Sequence, residues 1–539
     1  MQQPISWVSE VELIFLLLLL FVVVFAWLAR KLGTPYPIVL VVAGLLLGFV
    51  PGIPKVSLNP DVVFLIVLPP LLYSAAWLTP WREFKFNMVS ICMLAFGLVG
   101  FTVFGVAQTS HWVFAGFDLR LGFVLGAVVA TTDAIAAASI AKKIGLPQGI
   151  VDILEGESLI NDATGLLALE FAIAMVVDGR TPTISQGIFR LAYLTSAGLA
   201  LGYIVARIAE WFEHQIDDGP IEIVLSILIP YATYLAAEAI HASGVLAVVA
   251  CGLYMSNKSS HFFSPNVRMQ IWAVWDAFTF ILNGLVFVLI GLQLPFVLAG
   301  IREYSLGQLI LYGALFSTVV ILLRLVWMFP GAKIAYLIRR KWLHQDVVVP
   351  SARQVFVVGW TGMRGVVALA AAISLPEKLA NGADFPQRNL IIFLTFSVIL
   401  VTLVLQGLTL PPLIRALGLA GATGRNQEED DARRQMIAAA LAQLRAEQER
   451  DGEQFQDVYE EIEERYRHRL GALQESERDS DRNEPTAHVS RYQELLRQLM
   501  RIERHTAVSL RNQGRLNDEV LRRFEHELDL SELRLSLME

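Results

Sequence analysis

The run Gly156-Glu157-Ser158-Leu159-Ile160-Asn161-Asp162-Ala163-Thr164-Gly165 decides how this chain is read. It puts three acids and amides, two hydroxyls and two glycines in the middle of residues 149–177, an otherwise apolar stretch long enough to span a bilayer as a helix. Ionisable side chains in that setting are expensive and mark function. Residues three or four apart share a helix face, so Ser158 stands beside Asn161 and Asp162, and Glu157 beside Asn161.

Working outward, apolar runs recur at 9–29, 36–51, 60–79, 88–109, 119–141, 187–212, 220–239, 241–257, 269–297, 304–330, 350–376 and 388–412, which makes about thirteen expected spans. The first lacks a basic n-region and a small-residue cleavage site, so it reads as a helix rather than a signal peptide. Composition agrees: 55% of the 539 residues are hydrophobic and 17% charged, against about a quarter charged in soluble domains. Two cysteines, Cys92 and Cys251, exclude a disulfide scaffold, and a net charge of −7 excludes an ordinary nucleic-acid binder. Recurrence of the runs excludes a single-pass receptor. The expected fold class is all-α and polytopic, with a charged helical tail.

Lys and Arg set the orientation. The side on which odd-numbered spans end holds fourteen of them, among them Arg30, Lys31, Lys142, Lys143 and Arg339, whereas the opposite side holds six: Lys55, Arg120, Arg180, Arg302, Lys378 and Arg388. The richer side is expected in the cytoplasm of a cell (inner) membrane, with the N-terminus outside and the tail inside. The division expected is a membrane domain over 1–415 and a tail over 416–539. From Gly421 onward there are 27 Asp plus Glu and 19 Arg, a net of −8. Within the tail, 432–448, 458–473, 489–503 and 516–537 read as amphipathic helices, serving as a solvated appendage or as a regulatory or dimerising domain.

The remaining mid-membrane polar groups gather mainly in two places, with lesser ones at Asp276, Asn283, Gln293, Arg324 and the Glu238/His241 pair. Thr131-Thr132-Asp133 interrupts the fifth span, and Gly359-Trp360-Thr361-Gly362-Met363-Arg364-Gly365 the twelfth. Interrupted segments at matching positions of two halves point to a transporter site. They are seven spans apart, and an odd offset implies an inverted repeat. Backbone groups freed at such breaks, the Thr132 carbonyl among them, can serve an ion, and Asp133 and Arg364 can complement the facing half-helix ends. Close helix packing is the competing reading of the glycines. Asp162, Ser158, Asn161 and Thr132 offer hard oxygen ligands suited to Na⁺, Li⁺ or H⁺. Asp162 is expected to be the carboxylate for which proton and metal ion compete. Glu157 needs its own counter-charge, and the sequence reading assigns it Arg364, tying the sixth span to the twelfth. The alternative is a Glu157 that reaches the cytoplasmic interface.

These residues together resemble the NhaP/NHE-type cation:proton antiporters, here of bacterial Na⁺/H⁺ antiporter kind. The match is carried by Gly156–Ala163, by Thr132-Asp133 before it, by Gly362-Met363-Arg364-Gly365 after it, and by Glu238-Ala239-Ile240-His241-Ala242-Ser243-Gly244-Val245-Leu246-Ala247. The resemblance covers about residues 10–415. It implies thirteen spans with an outside N-terminus, inverted repeats and two crossed discontinuous helices in the NhaA-like manner. It also implies a six-helix core (about 88–177 and 304–412) that moves against a dimerisation domain by elevator-like alternating access, and a homodimer. The implied roles are cation or proton binding at Asp162, assistance from Ser158 and Thr132 (the Na⁺ ligand set with Asp162), support from Asn161 and Asp133, and a structural Glu157–Arg364 pair. Ser74 follows Pro69-Pro70-Leu71-Leu72-Tyr73 where many relatives place an acid.

The function expected is therefore exchange of a monovalent cation, Na⁺ and also Li⁺, for H⁺ in pH homeostasis, with the bilayer as surroundings and no cofactor. One exchanging carboxylate implies electroneutral 1:1 exchange. K⁺/H⁺ exchange by the same mechanism stays open, because oxygen ligand types do not fix ion size. An intramembrane hydrolase using Asp133 and Asp162 is disfavoured, since no nucleophile–base arrangement accompanies them.

Overall fold

The computed structural model describes residues 6–50, 59–114, 116–177, 179, 183–216, 218–301, 304–379, 382–420, 425–451, 455–478, 487–513, 515–516 and 518–536. The chain divides into two compact units, Met1–Ala422 and Thr423–Glu539. Among the described residues it is helical throughout, with only an isolated bridge between Lys378 and Asp384 and no strand.

The first unit contains α1 (Ser6–Leu32), α2 (Tyr36–Gly48), α3 (Pro60–Leu78), α4 (Trp81–Val113), α5 (Leu119–Ala130), α6 (Ala134–Ile144), α7 (Gln148–Val177), α8 (Ile184–Glu213), α9 (Gly219–Ala239), α10 (Gly244–Phe262), α11 (Pro265–Leu292), α12 (Leu294–Ala299), α13 (Leu306–Lys341), α14 (Ala352–Trp360), α15 (Val366–Ile373) and α16 (Arg388–Ala416). Ten segments among the described residues are long and apolar enough to cross a membrane, counting α5–α6 as one and α11–α12 as one. The other three expected segments are helical but fall outside that count: α2 has 13 residues, α10 turns polar in its last turns, and the twelfth is split into α14 and α15.

Several expected spans are too short. The run placed at 88–109 is α4, which starts at Trp81, and 304–330 is α13, which runs on to Lys341. Apolar text ends before the helix does, because Arg339, Arg340 and Lys341 complement the helix C-terminus and keep their charged ends toward polar surroundings. Helix starts follow side-chain caps. Asp118, Asp218 and Ser264 accept from the backbone N–H three residues on, and Thr183, Ser305 and Ser351 form reciprocal capping boxes with Gln186, Gln308 and Gln354. Each satisfies N–H groups that no turn of helix reaches.

Packing follows the same economy. Gly44 and Gly291 meet where α2 crosses α11, each with its Cα against the other helix's backbone, so a side chain at either position has no room. Gly122 and Gly126 do the same for α5 against α4. Without a hydrophobic drive between helices in lipid, such close backbone approach is what holds a bundle together. π-turns occur at Val63–Val67, Met93–Leu98 and Thr402–Gln406.

The second unit contains α17 (Arg425–Asp451), α18 (Gln456–Arg478), α19 (Ala487–Asn512) and α20 (Asp518–Ser536). Arg445 bonds Glu463 at 3.1 Å between α17 and α18, and Arg504 bonds Asp529 at 2.6 Å between α19 and α20. Among its described residues, Ile437, Leu441, Ala507 and Leu521 are the buried apolar ones. The expected last helix reached 537, which lies outside the described residues.

Candidate ion-binding site at the meeting of two broken helices

The chain between α5 and α6 leaves helical geometry over Thr131–Asp133, with Thr131 and Asp133 extended. Thr361–Gly365 separates α14 from α15. The two breaks meet: the Asp133 N–H donates to the Met363 carbonyl at 2.8 Å, and the Arg364 Nε donates to the Val129 carbonyl at 3.1 Å. Broken helices expose backbone donors and acceptors that hydrocarbon cannot satisfy. Here each break satisfies part of the other.

The charges match the helix ends. Arg364, 1% exposed, donates to Val129 at the C-terminal end of α5 and to Gly362 just beyond α14. Asp133 caps α6, accepting from the Ile135 N–H at 2.8 Å, and its side chain lies directly over Gly365, which precedes α15. A cation therefore sits at two negative helix ends and an anion at two positive ones. Gly365 has to be glycine here, since any Cβ would overlap the Asp133 carboxylate.

α7 supplies the other side. The Ser158 hydroxyl donates to the Thr132 carbonyl at 2.9 Å and accepts from the Ala134 N–H at 3.3 Å. The Asn161 amide donates to the Thr132 hydroxyl at 2.5 Å, and that hydroxyl donates to Glu157 at 3.2 Å. Ser158, Asn161 and Thr132 thus fasten the first break to α7. Each hydroxyl keeps one oxygen lone pair for a further partner. The Asn161 carbonyl oxygen is buried without a partner.

Glu157 is where the sequence expectation fails. Its carboxylate is held in a two-pronged pair by Arg324 on α13, at 2.5 and 2.8 Å, and not by Arg364. Arg324 also donates to the Gly359 and Val358 carbonyls at 3.2 Å, which ties α7, α13 and the end of α14 together. The physical reason is a competition for Arg364. The two helix ends and their carbonyls already take its donors, whereas Arg324, fully buried in an apolar run, has to find an acid. Sequence reasoning recorded Arg324 but gave it no role. The available signal was the count: two mid-span arginines cannot share one glutamate.

Asp162 differs from every acid around it. It is 6% exposed, and no described group donates a hydrogen bond to it or pairs with it. The charged neighbour acting on it is another carboxylate, Asp133. No cluster of three or more His, Cys, Asp or Glu side chains able to hold a metal occurs among the described residues. The neutral oxygens gathered on α7 and the first break are those of Ser158, Thr132 and Asn161.

Comparisons with known proteins bear on the same region. Residues 16–416 match the family described as sodium/hydrogen exchanger, transmembrane. The chain is 36% identical over 423 residues to a sodium, potassium, lithium and rubidium/H⁺ antiporter of Bacillus pumilus, an alignment covering 76% of this chain but 62% of that relative's length. It is 32% identical to an uncharacterized Na⁺/H⁺ exchanger of Mycobacterium tuberculosis, across 95% of this chain and 94% of the relative. The Na⁺/H⁺ antiporter ApNhaP of Aphanothece halophytica is 31% identical, with 76% and 75% covered. Among solved structures, the sodium proton antiporter MjNhaP1 of Methanocaldococcus jannaschii superposes with a TM-score of 0.57 at 19% identity, over 75% of this chain and 97% of that one, which shows a shared fold. Two broken helices joined at their breaks, a buried unpaired aspartate beside them and a family match across the whole first unit lead to one conclusion: this chain belongs to the sodium/hydrogen exchanger family of multi-pass membrane antiporters.

Proposed function

We propose that the chain exchanges one monovalent cation for one proton, with Asp162 as the group that carries either in turn. The observation that carries this reading is the contrast between two acids five residues apart on α7. Glu157 is neutralised by Arg324, and Asp162 has no protein counter-charge. An uncompensated carboxylate in a low-dielectric setting is costly. A proton or a cation removes that cost, and each excludes the other. Ser158, Thr132 and the Asn161 carbonyl oxygen complete the cation's shell, and Asp133 holds the two breaks in register. With Glu157 paired to Arg324, and Asp133 and Arg364 each committed to helix ends, only one charge changes partner per cycle, so exchange is electroneutral.

Na⁺ is the cation proposed, with Li⁺ accepted. K⁺ is the second reading, favoured by the breadth of ions in the name of the Bacillus pumilus relative. Elevator-like movement of a core containing α5–α7 and α13–α16, a homodimer, an outside N-terminus and an inside tail belong to the same proposal. The test is cation-dependent dequenching of a pH dye in vesicles, across Na⁺, Li⁺ and K⁺. Wild type responds to at least one of them, and Asp162→Asn to none. A transport current that scales with imposed voltage contradicts the 1:1 exchange.

A further inference from the structure

Three basic residues end α13, and they do not behave alike. Arg340 and Lys341 are exposed, whereas Arg339 turns inward and is 8% exposed. Its guanidinium lies over the Phe86 ring on α4, 4.5 Å from the centroid. Its Nε donates to the Gln345 Oε1 at 2.8 Å, and its Nη1 reaches the Ser90 hydroxyl on α4 at 3.4 Å. Its Nη2 is buried and has no partner, and no acid among the described residues pairs with it. Residues 81–90 and 339–350, which these contacts bring together, hold five Lys and Arg against two acids, Glu83 and Asp346. Beside them Trp342, Leu343, Val348 and Val349 stand exposed, Trp342 by 81% and Val348 by 91%.

Three ordinary explanations fall short. Losing a proton is closed to arginine. The Phe86 ring attracts a cation but has no net charge to cancel it. A water would satisfy Nη2 yet leave the charge uncompensated, and a buried charge without a counter-charge is costly. The remaining remedy is an anion from outside the chain. Nη2 offers two N–H groups beside those of Nε and Nη1, a fork that takes phosphate oxygens two at a time. The Ser90 hydroxyl and the Gln345 amide each keep a hydrogen to donate to the same group. An exposed tryptophan next to basic side chains belongs at the level where a bilayer's headgroups meet its hydrocarbon, and a phosphate at that level comes attached to a lipid. The excess of basic residues favours a headgroup of net negative charge over a zwitterion. We infer that Arg339, Ser90 and Gln345 form a binding site for the phosphate of an anionic phospholipid, where the end of α13 packs on the start of α4.

The test uses the delipidated full-length protein in detergent and reads its melting temperature, so it does not depend on the exchange proposed above. The probes are dioleoyl phosphatidylglycerol, dioleoyl phosphatidylcholine and inorganic phosphate. Phosphatidylglycerol should raise the melting temperature saturably, and the other two at equal concentration should not. Arg339→Gln should raise the half-saturating phosphatidylglycerol concentration about fivefold or more. Arg339→Lys, which keeps the charge but not the fork, should recover part of that loss. Arg120→Gln, which removes an exposed charge on α5, should change nothing. If Arg339→Gln fails to fold, the exposed pair Arg340→Gln and Lys341→Gln together carries the test, in the same direction. Stabilisation by phosphatidylcholine or inorganic phosphate that matches phosphatidylglycerol, equal losses in Arg339→Gln and Arg120→Gln, or an affinity indifferent to Arg339→Gln and to the double variant overturns the inference.

Discussion

Arg324 and Arg364 show how one residue type does two jobs in one buried region. Arg324 neutralises a carboxylate and Arg364 neutralises helix ends. The difference yields a prediction. Arg324→Ala strands Glu157 in the interior, a loss of about 3–5 kcal/mol, read as a fall in the melting temperature of the purified protein. Adding Glu157→Ala to it should recover part of that loss, since the stranded charge is gone. If the double variant is less stable than the single one, the pair is not what Arg324 is for. Legibility at this scale was uneven. Asp162, Ser158, Asn161 and Thr132 were marked by sequence alone, because polar groups in hydrocarbon are conspicuous and their i, i+3 and i+4 spacing fixes a shared face. The partner of Glu157 was not legible, because spacing along α7 says nothing about which distant helix packs against it. The unpartnered Nη2 of Arg339 was equally invisible, sitting in text that reads as an ordinary basic helix end.

The breaks are the elements that matter. Thr131–Asp133 and Thr361–Gly365 were legible as interruptions because hydroxyls, an acid and glycines replace helix formers there. That they touch, through Asp133 N–H and the Met363 carbonyl, was not. Gly365 is the tightest point of that contact. Gly365→Ala drives a methyl group into the Asp133 carboxylate, and overpacking of this kind costs about 1–3 kcal/mol. Asp133 then shifts off α6 and α15 together, so cation-driven proton flux should fall well below wild type while the protein still inserts. Gly149→Ala, with open space around its Cβ, is the control that should change nothing. Equal flux from both variants removes the claimed role of the Asp133–Gly365 contact. Helix ends were read less well than helix centres. Caps such as Asp118 and Ser351 were in plain sight, but α4 and α13 run past their apolar text because charged last turns remain helical.

At the scale of the whole molecule, every residue assigned to the site lies in the first unit, and the charged second unit carries a small apolar core of its own. Truncation after Ala422 should therefore leave cation-driven proton flux in vesicles intact. A truncated protein that inserts but no longer exchanges would make the second unit part of the machinery. The −8 of the tail and the near-neutral membrane part were arithmetic on the sequence. The pairing of the tail helices through Arg445–Glu463 and Arg504–Asp529 needed the structure, because many arginines stood within reach of many acids.

The claim that one carboxylate serves proton and cation by turns is tested most directly by the pH dependence of the apparent KM for Na⁺ in vesicles with both sides controlled. Competition for Asp162 requires the apparent KM to rise about tenfold for each unit of acidification on the acid side, while the maximal rate at saturating Na⁺ stays constant. A maximal rate that falls with acid at an unchanging KM would mean that proton and cation occupy different groups, and would contradict the account.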